Sequence, residues 1–129
     1  MKRYWIILLL GFAIIGAVVW EQIYVVNTID NLKSKTSALY DTIFNSDNVN
    51  TNKIINSVEE LDDYWKEREN FLCIIFNHKD IEKVGEQITK LTVLTLQNSK
   101  QEAEYEVELL KYYVEGYEHI MGVTFQNIW

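Results

Sequence analysis

The sequence predicts an all-α protein in which an N-terminal transmembrane helix is followed by an antiparallel four-helix bundle. Three observations support this prediction. The 129-residue chain contains no proline, so long helices can run without interruption. Apolar residues recur at alternating spacings of three and four over most of the chain. No Asn-Gly or Asp-Gly pair separates two alternating apolar runs, which would be the signal of a β-hairpin.

A transmembrane anchor is predicted over residues 4–26. Residues 4–20 carry no charged side chain, and at about 1.5 Å rise per residue they span about 25 Å. The apolar stretch continues to Val26, which brings its length close to the ~30 Å core of a bilayer. Trp5 and Trp20 bracket the uncharged run, as aromatic residues do at membrane interfaces.

The charge that precedes the anchor predicts its orientation. Two basic residues stand directly before it, so residues 1–3 are expected in the cytoplasm and the bundle on the extracytoplasmic face of the cell membrane. The predicted protein is single-pass, with a helical bundle over residues 27–122 and a C-terminal tail over residues 123–129. A cleaved signal peptide is one alternative, although residues 16–20 offer no clean pair of small residues for the cut. A soluble protein with a buried N-terminal helix is the other.

Four apolar stripes define the predicted helices of the bundle. The first stripe keeps the phase of the anchor, which predicts one helix running from the membrane into the bundle. Turn-forming residues separate the second and third helices from their predecessors, and residues 99–102 have the spacing of a capping box that starts a fourth. A continuous helix through residues 98–102 is the alternative, giving three helices with a long last one. The stripe positions are Ile29, Leu32, Thr36, Leu39 and Ile43; Ile54, Val58, Leu61, Trp65, Arg68, Leu72 and Ile75; Ile81, Val84, Ile88, Leu91 and Leu94; and Tyr105, Leu109 and Tyr112 with the adjoining Leu110, Tyr113, Tyr117 and Ile120.

Local signals predict where these helices begin and end. Thr51 or Asn52 is expected to cap the second helix and Asp80 the third, and the last helix is expected to end near Gly122. Helices of this length with short connections pack antiparallel in an up-down-up-down bundle. This topology predicts that the turn at residues 76–80 and the C-terminal tail both lie near the membrane.

Two glycines fall inside predicted helices, where each costs about 1 kcal/mol relative to alanine. The topology puts Gly85 and Gly116 at similar heights in the third and fourth helices. We therefore expect these two helices to approach closely at that level.

The charge balance excludes one class of function. The chain has 12 Lys and Arg against 19 Asp and Glu, a formal net charge of −7. Nucleic-acid binding proteins carry clustered positive charge, so nucleic acid is not an expected partner. The acidic run at residues 59–63 is interpreted as a solvated helix surface, with a weak cation site as the alternative.

No motif in the sequence predicts catalysis. It contains no Gly-x-Ser-x-Gly, no glycine-rich phosphate loop and no His-Glu-x-x-His. Since no nucleophile stands in a recognisable frame, no cofactor and no enzymatic activity are expected. His78 and His119 lack the Glu-x-x-His spacing of di-iron bundles, so no metal site is expected either. Cys73 is the only cysteine and is interpreted as a small buried apolar side chain. An intermolecular disulfide or a reactive thiol is the alternative.

Five parts of the chain form a recognisable set of blocks: Trp65 and residues 20–24, 77–82, 110–112 and 126–129. These blocks resemble domain-of-unknown-function family 4363, and the resemblance covers essentially the whole chain. It implies an N-terminally anchored helical protein, of the kind found in low-GC Gram-positive anaerobes, with no established activity. The recurring histidine and terminal Asn-Ile of the family would fall on His78 and on Asn127 and Ile128, as contact residues without a catalytic role.

The function expected from these features is non-enzymatic. The anchored bundle is predicted to dock onto another membrane protein, or onto a copy of itself, through its aromatic membrane-proximal end. An extracytoplasmic domain that senses a ligand or a cation is the alternative. The candidate contact residues are His78, Tyr112, Tyr117, Asn127, Ile128 and Trp129.

Overall fold

Four α-helices form the described part of the chain in this computed structural model, which covers the backbone of residues 2–128 and the side chains of residues 2–117. No strand occurs among these residues, so the predicted all-α class is confirmed. The helices are α1 (Lys2–Asn45), α2 (Asn52–Ile75), α3 (His78–Leu96) and α4 (Lys100–Ile128).

The helices pack in a ring around a common apolar core. Both α1 and α3 contact α2 and α4, as expected for consecutive antiparallel helices joined by short connections. Trp65 is the largest of the fully buried side chains. Each buried aliphatic or aromatic side chain contributes about 1.5–3 kcal/mol, so packing along this axis holds the bundle together. The buried apolar residues are Val25, Ile29, Leu32, Leu39, Ile43, Val49, Ile54, Val58, Leu61, Trp65, Leu72, Ile81, Val84, Ile88, Leu91, Ala103, Val107, Leu110, Val114 and Tyr117.

Helix α1 joins the apolar N-terminal segment and the first bundle helix in one uninterrupted element, as their shared phase predicts. Its large apolar side chains are exposed as far as Trp20, and one face is buried from Val25 onward. Contact with the bundle begins where Trp20 and Tyr24 meet Phe71 of α2, with ring centroids 6.4 and 4.7 Å apart. The segment before this junction therefore projects beyond the bundle.

The predicted stripes of α1 to α3 are buried with three exceptions. Arg68 and Ile75 of α2 are only partly buried. Leu94 of α3 is also partly buried, and the adjacent Thr95 takes the core position in its place. The Thr95 hydroxyl donates to the carbonyl of Leu91 at 2.8 Å, which satisfies its polar group inside the core.

The predicted core stripe of α4 is wrong in phase at its leading positions, although the adjoining Leu110 and Tyr117 are buried as predicted. The predicted Ile120 lies among the residues whose side chains are not described. Tyr105 and Tyr112 are 64% and 71% exposed, and Leu109 is only partly buried. The large aromatic side chains dominate the sequence pattern, whereas the true core face includes a small residue and is less conspicuous. The buried positions are Ala103, Val107, Leu110, Val114 and Tyr117, again at spacings of four and three.

Two polar residues cap the helices that follow connections. Thr51 caps α2, as predicted, because its side chain accepts from the N–H of Ile54. The cap of α3 is Asn77 and not Asp80, since the Asn77 side chain accepts from the N–H of Lys79 at 3.0 Å. Asp80 instead lies in the first turn, where its negative charge favours the helix dipole.

A turn at Asn98 separates α3 from α4, so the single long last helix is excluded. Asn98 has a positive φ of 55°, and the N–H of Ser99 donates to the carbonyl of Leu94 at 3.0 Å, as in a Schellman motif. The Asn98 side chain also accepts from the N–H of Val49 at 2.9 Å. This bond joins the α3–α4 turn to the α1–α2 loop at the end of the bundle far from the apolar segment.

Helix α4 continues to Ile128, past Gly122 where we expected it to end. A glycine weakens a helix without stopping it, and no proline follows to do so. Most of the predicted tail at residues 123–129 is therefore helical, and Trp129 lies outside the described residues.

The two bundle glycines do not mark a close approach of α3 and α4. A Cβ on Gly85 would lie 3.3 Å from Nε1 of Trp65, so this glycine makes room for an indole from α2. A Cβ on Gly116 would meet nothing within 4 Å.

This difference predicts opposite responses to alanine. Gly116→Ala is expected to raise the free energy of unfolding by about 0.5–1 kcal/mol, because it restores helix propensity without a clash. Gly85→Ala is expected to leave the free energy of unfolding unchanged or to lower it, because the buried Trp65 ring must shift. Urea unfolding of the full-length protein in detergent measures both, and equal gains would contradict the Trp65 contact.

Candidate functional site

The most apolar surface of the molecule is the N-terminal part of α1. α1 is the one helix among the described residues that is long and apolar enough to cross a membrane, and none of its most apolar window is buried. An exposed surface of this kind needs a cover, and a lipid bilayer matches its length and composition. By length and composition the segment qualifies as a single-pass anchor or as a signal sequence.

Aromatic side chains surround the end of the bundle next to this segment. The Trp20, Tyr24 and Phe71 rings form one cluster between α1 and α2. Phe76, directly after α2, contacts Tyr117 of α4 with 5.7 Å between ring centroids. The α2–α3 turn and the described lower part of α4 therefore share this end of the bundle.

The predicted contact residues lie in different environments. Tyr112 is exposed, whereas Tyr117 is 5% exposed and packs in the core. Burial, reinforced by the nearby Asp80 carboxylate, raises the pKa of Tyr117 well above its usual range, so its hydroxyl stays protonated. The predicted contacts Asn127 and Ile128 belong to the part of α4 whose side chains are not described, and Trp129 lies beyond it.

A shallow cleft of about 290 Å³ separates α3 and α4 near Tyr112. Its lining combines opposite charges with aromatic rings and an open glycine position. The lining residues are Asp80, Lys83, Tyr112, Tyr113, Glu115, Gly116 and Tyr117.

His78, the first residue of α3, is exposed and held on both sides of its ring. Its Nδ1 lies 3.2 Å from Sγ of Cys73, and its Nε2 lies 2.8 Å from Oε1 of Glu82. Sequence reasoning missed this arrangement, because Cys73 and His78 do not have helical spacing and meet only across the α2–α3 turn. The spacing of four between His78 and Glu82 was the one signal available in the sequence.

The outward face of α4 carries a second apolar stripe, formed by Tyr105, Leu109, Tyr112 and Gly116. Their spacings of four, three and four place them on one side of the helix, away from the core stripe. We call this surface the α4 outer face. It is flanked by the exposed acidic residues Glu102, Glu108 and Glu115.

The residues around the α4 outer face are mainly acidic, and the two lysines of the helix do not neutralise them. Between residues 100 and 117, α4 carries five glutamates against two lysines. Lys100 pairs with Glu104 at 3.6 Å, and Lys111 lies over the Tyr40 ring at 4.4 Å. Both cations are thus engaged within the molecule.

A wider cleft of about 480 Å³ lies between α2 and α3, above Trp65. The Trp65 Nε1 is buried next to Gly85, and none of the described residues gives it a hydrogen-bond partner. The cleft is lined by Asp62, Trp65, Lys66, Glu69, Glu82, Gly85, Glu86, Thr89 and Lys90.

The predicted acidic run at residues 59–63 does not assemble a ligand set. Asp62 pairs with Lys66 at 2.7 Å, which raises the pKa of Lys66 through the hydrogen bond and the carboxylate charge. Within the described residues, no group of three or more His, Cys, Asp or Glu is arranged to hold a metal ion.

Comparison with known proteins identifies a family without an assigned activity. No curated protein and no solved structure matches the chain. The model of one family, described as a domain of unknown function, matches residues 19–128, which span the bundle and begin at the aromatic junction. The chain therefore belongs to the domain-of-unknown-function family DUF4363.

Proposed function

We propose that the protein is a non-enzymatic accessory subunit, anchored by the N-terminal part of α1, whose bundle docks on another membrane protein. Its N-terminus lies in the cytoplasm and its bundle on the extracytoplasmic face. The exposed apolar segment of α1 supports the anchor, and the basic residues Lys2 and Arg3 before it support the orientation. A tether of this kind confines the bundle to the surface where membrane-protein partners are concentrated.

The observation that carries the docking proposal is the α4 outer face. Tyr105 and Tyr112 expose most of their rings although the same helix has a complete core stripe. Tyrosine is enriched at the energetic centres of protein interfaces. Gly116 leaves open space at the end of the stripe, which lets a partner backbone approach closely.

Charge decides which partner fits this face. A second copy of the chain would set glutamates such as Glu108 and Glu115 against one another, and like charges across an interface oppose binding. A helix that carries Lys or Arg on both sides of an apolar stripe would place opposite charges there. The partner is therefore a membrane protein with a basic amphipathic segment outside the membrane.

Affinity purification of the full-length protein from native membranes, in mild detergent, tests this function. Mass spectrometry is expected to find a stoichiometric membrane protein. Tyr105→Ala with Tyr112→Ala is expected to lower its recovery about tenfold or more, since interface tyrosines each contribute more than about 1 kcal/mol.

The matched control removes exposed apolar side chains elsewhere. Val93→Ala with Leu96→Ala on α3 is expected to leave partner recovery unchanged, and thermal melting checks that both double variants stay folded. Recovery of the chain alone, or only with itself, would reject the proposal. Retention of the partner by the α4 variant would reject the α4 outer face as its site.

Labelling in intact cells tests the orientation. A Ser34→Cys substitution in a Cys73→Ser background places one thiol on the exposed surface of α1 within the bundle. A membrane-impermeant maleimide is expected to label it in intact cells. Labelling only after cell lysis would reverse the proposed orientation.

A second candidate function, the sensing of a small ligand or cation, is favoured by the cleft above Trp65. The buried indole N–H of Trp65 has no hydrogen-bond partner in the described part of the chain, and carboxylates and ammonium groups line the cleft around it. A ligand that binds the folded state raises the melting temperature by mass action. A reproducible shift that Gly85→Ala abolishes would favour this function over docking.

A further inference from the structure

The end of α2 and the beginning of α3 bring three reactive side chains into one chain of contacts. Cys73 lies in the last turn of α2, and His78 begins α3 after a two-residue connection. The thiol Sγ is 3.2 Å from Nδ1 of His78, whose Nε2 is 2.8 Å from Oε1 of Glu82. Cys73 is partly exposed, and His78 is exposed, so a small molecule can reach the thiol from solvent.

The carboxylate of Glu82 determines the role of each ring nitrogen. Nε2–H of neutral His78 donates to this carboxylate, which leaves Nδ1 as the acceptor. The Cys73 thiol then donates its Sγ–H to Nδ1. Nucleophile, base and orienting group thus stand in the order found in thiol-dependent active sites.

We propose that Cys73 is a nucleophilic thiol with His78 as its base and Glu82 as the group that positions the base, and that it exchanges with small neutral disulfides. This activity is independent of docking through α4. Thiol–disulfide exchange requires a thiolate and a carrier for one proton, and these three residues supply both.

The proposed step balances without a further reactant. The Sγ–H proton passes to His78 Nδ1, and the thiolate attacks one sulfur of the disulfide. A bond forms between Cys73 and that sulfur while the original S–S bond breaks. The leaving thiolate takes the proton back from the imidazolium, so the products are a mixed disulfide on Cys73 and one free small thiol.

The other charged groups around the thiol explain why the histidine is needed. Burial raises the pKa of Cys73, and the carboxylates of Glu69 on α2 and Glu82 on α3 raise it further. Tyr117 faces the thiol from α4 and stays neutral because its own pKa is raised by burial, with Asp80 adding to the effect. A protonated His78 ring 3.2 Å from Sγ would oppose these effects on the thiolate. The surrounding carboxylates favour a neutral disulfide over an anionic one.

The test follows release of 2-thiopyridone from 2,2′-dipyridyl disulfide by the full-length protein in detergent between pH 6 and 9. Because the chain has one cysteine, the same protein in concentrated urea gives the rate of the unassisted thiol. In the unfolded chain only a few per cent of the Cys73 thiol is ionised at pH 7. The folded protein is therefore expected to react about tenfold faster at this pH. The ratio of the folded to the unfolded reaction rate is expected to fall toward pH 9.

Two variants and a control assign the effect to the base. His78→Gln is expected to make the folded protein slower than the unfolded chain, because burial and the carboxylates then act unopposed. Glu82→Gln is expected to slow the reaction severalfold at pH 7, because the loss of the positioned base outweighs the removal of one carboxylate that raises the pKa of Cys73. Glu86→Gln, one turn further on the exposed surface of α3, is expected to leave the rate unchanged. Equal pH profiles for wild type and Glu82→Gln, or a wild-type protein that reacts more slowly than its unfolded chain, would overturn the proposal. Circular dichroism verifies that each variant is folded.

Discussion

Leu10→Arg combined with Ile14→Arg is expected to release the protein from the membrane. Both side chains lie on the exposed apolar part of α1. Arginine near the centre of a transmembrane helix costs about 2.5–3.5 kcal/mol per residue, so two of them oppose insertion strongly. The fraction of protein that stays in membranes after an alkaline wash measures the effect.

A matched pair of charges outside the segment is the control. Asn27→Arg with Asn31→Arg adds the same charge at the same spacing to exposed positions of α1 within the bundle. This variant is expected to stay membrane-bound. If both double variants, or neither, leave the membrane, the anchor is not the segment before Trp20.

Leu110→Ala is expected to lower the free energy of unfolding by about 2–5 kcal/mol, because it leaves a cavity in the core of the bundle. Leu109→Ala removes the same atoms one residue earlier, from a side chain that is only partly buried, and is expected to cost less than about 1 kcal/mol. Urea unfolding of the full-length protein in detergent gives both values. A larger loss for Leu109→Ala would mean that the predicted stripe of Tyr105 and Tyr112, and not the observed one, faces the core.

The success of the sequence-based predictions depended on how many apolar stripes a helix carries. In α1 one stripe stands out from polar surroundings, and every predicted position from Ile29 to Ile43 is buried. In α4 two apolar stripes compete, and the predicted positions fall on both. Leu110 and Tyr117 are buried, whereas the more conspicuous Tyr105 and Tyr112 are exposed. Periodicity predicts that a face exists, but with two apolar faces it does not tell which one the other helices cover.

The turn between α2 and α3 shows a different limit. The sequence predicts a turn over residues 77–80, whereas the connection in the structure is shorter: only residues 76 and 77 lie between the helices, and α3 begins at His78 with Asn77 as its cap. The meeting of Cys73 with His78 depends on how the chain folds back across that turn. Two residues five apart face each other only when the path of the connection brings them together, and no helical period encodes that path.

The sequence by itself determined the helical class, the apolar N-terminal segment and its continuity with the bundle, because charge, proline content and periodicity act locally along the chain. The tertiary structure alone decided which face of α4 is buried, that Gly85 makes room for Trp65, and that Cys73 lies against His78. These features depend on which neighbours a side chain meets. Those neighbours are set by the packing of one helix against another. The helix face that packing does not bury stays exposed and can bind a partner.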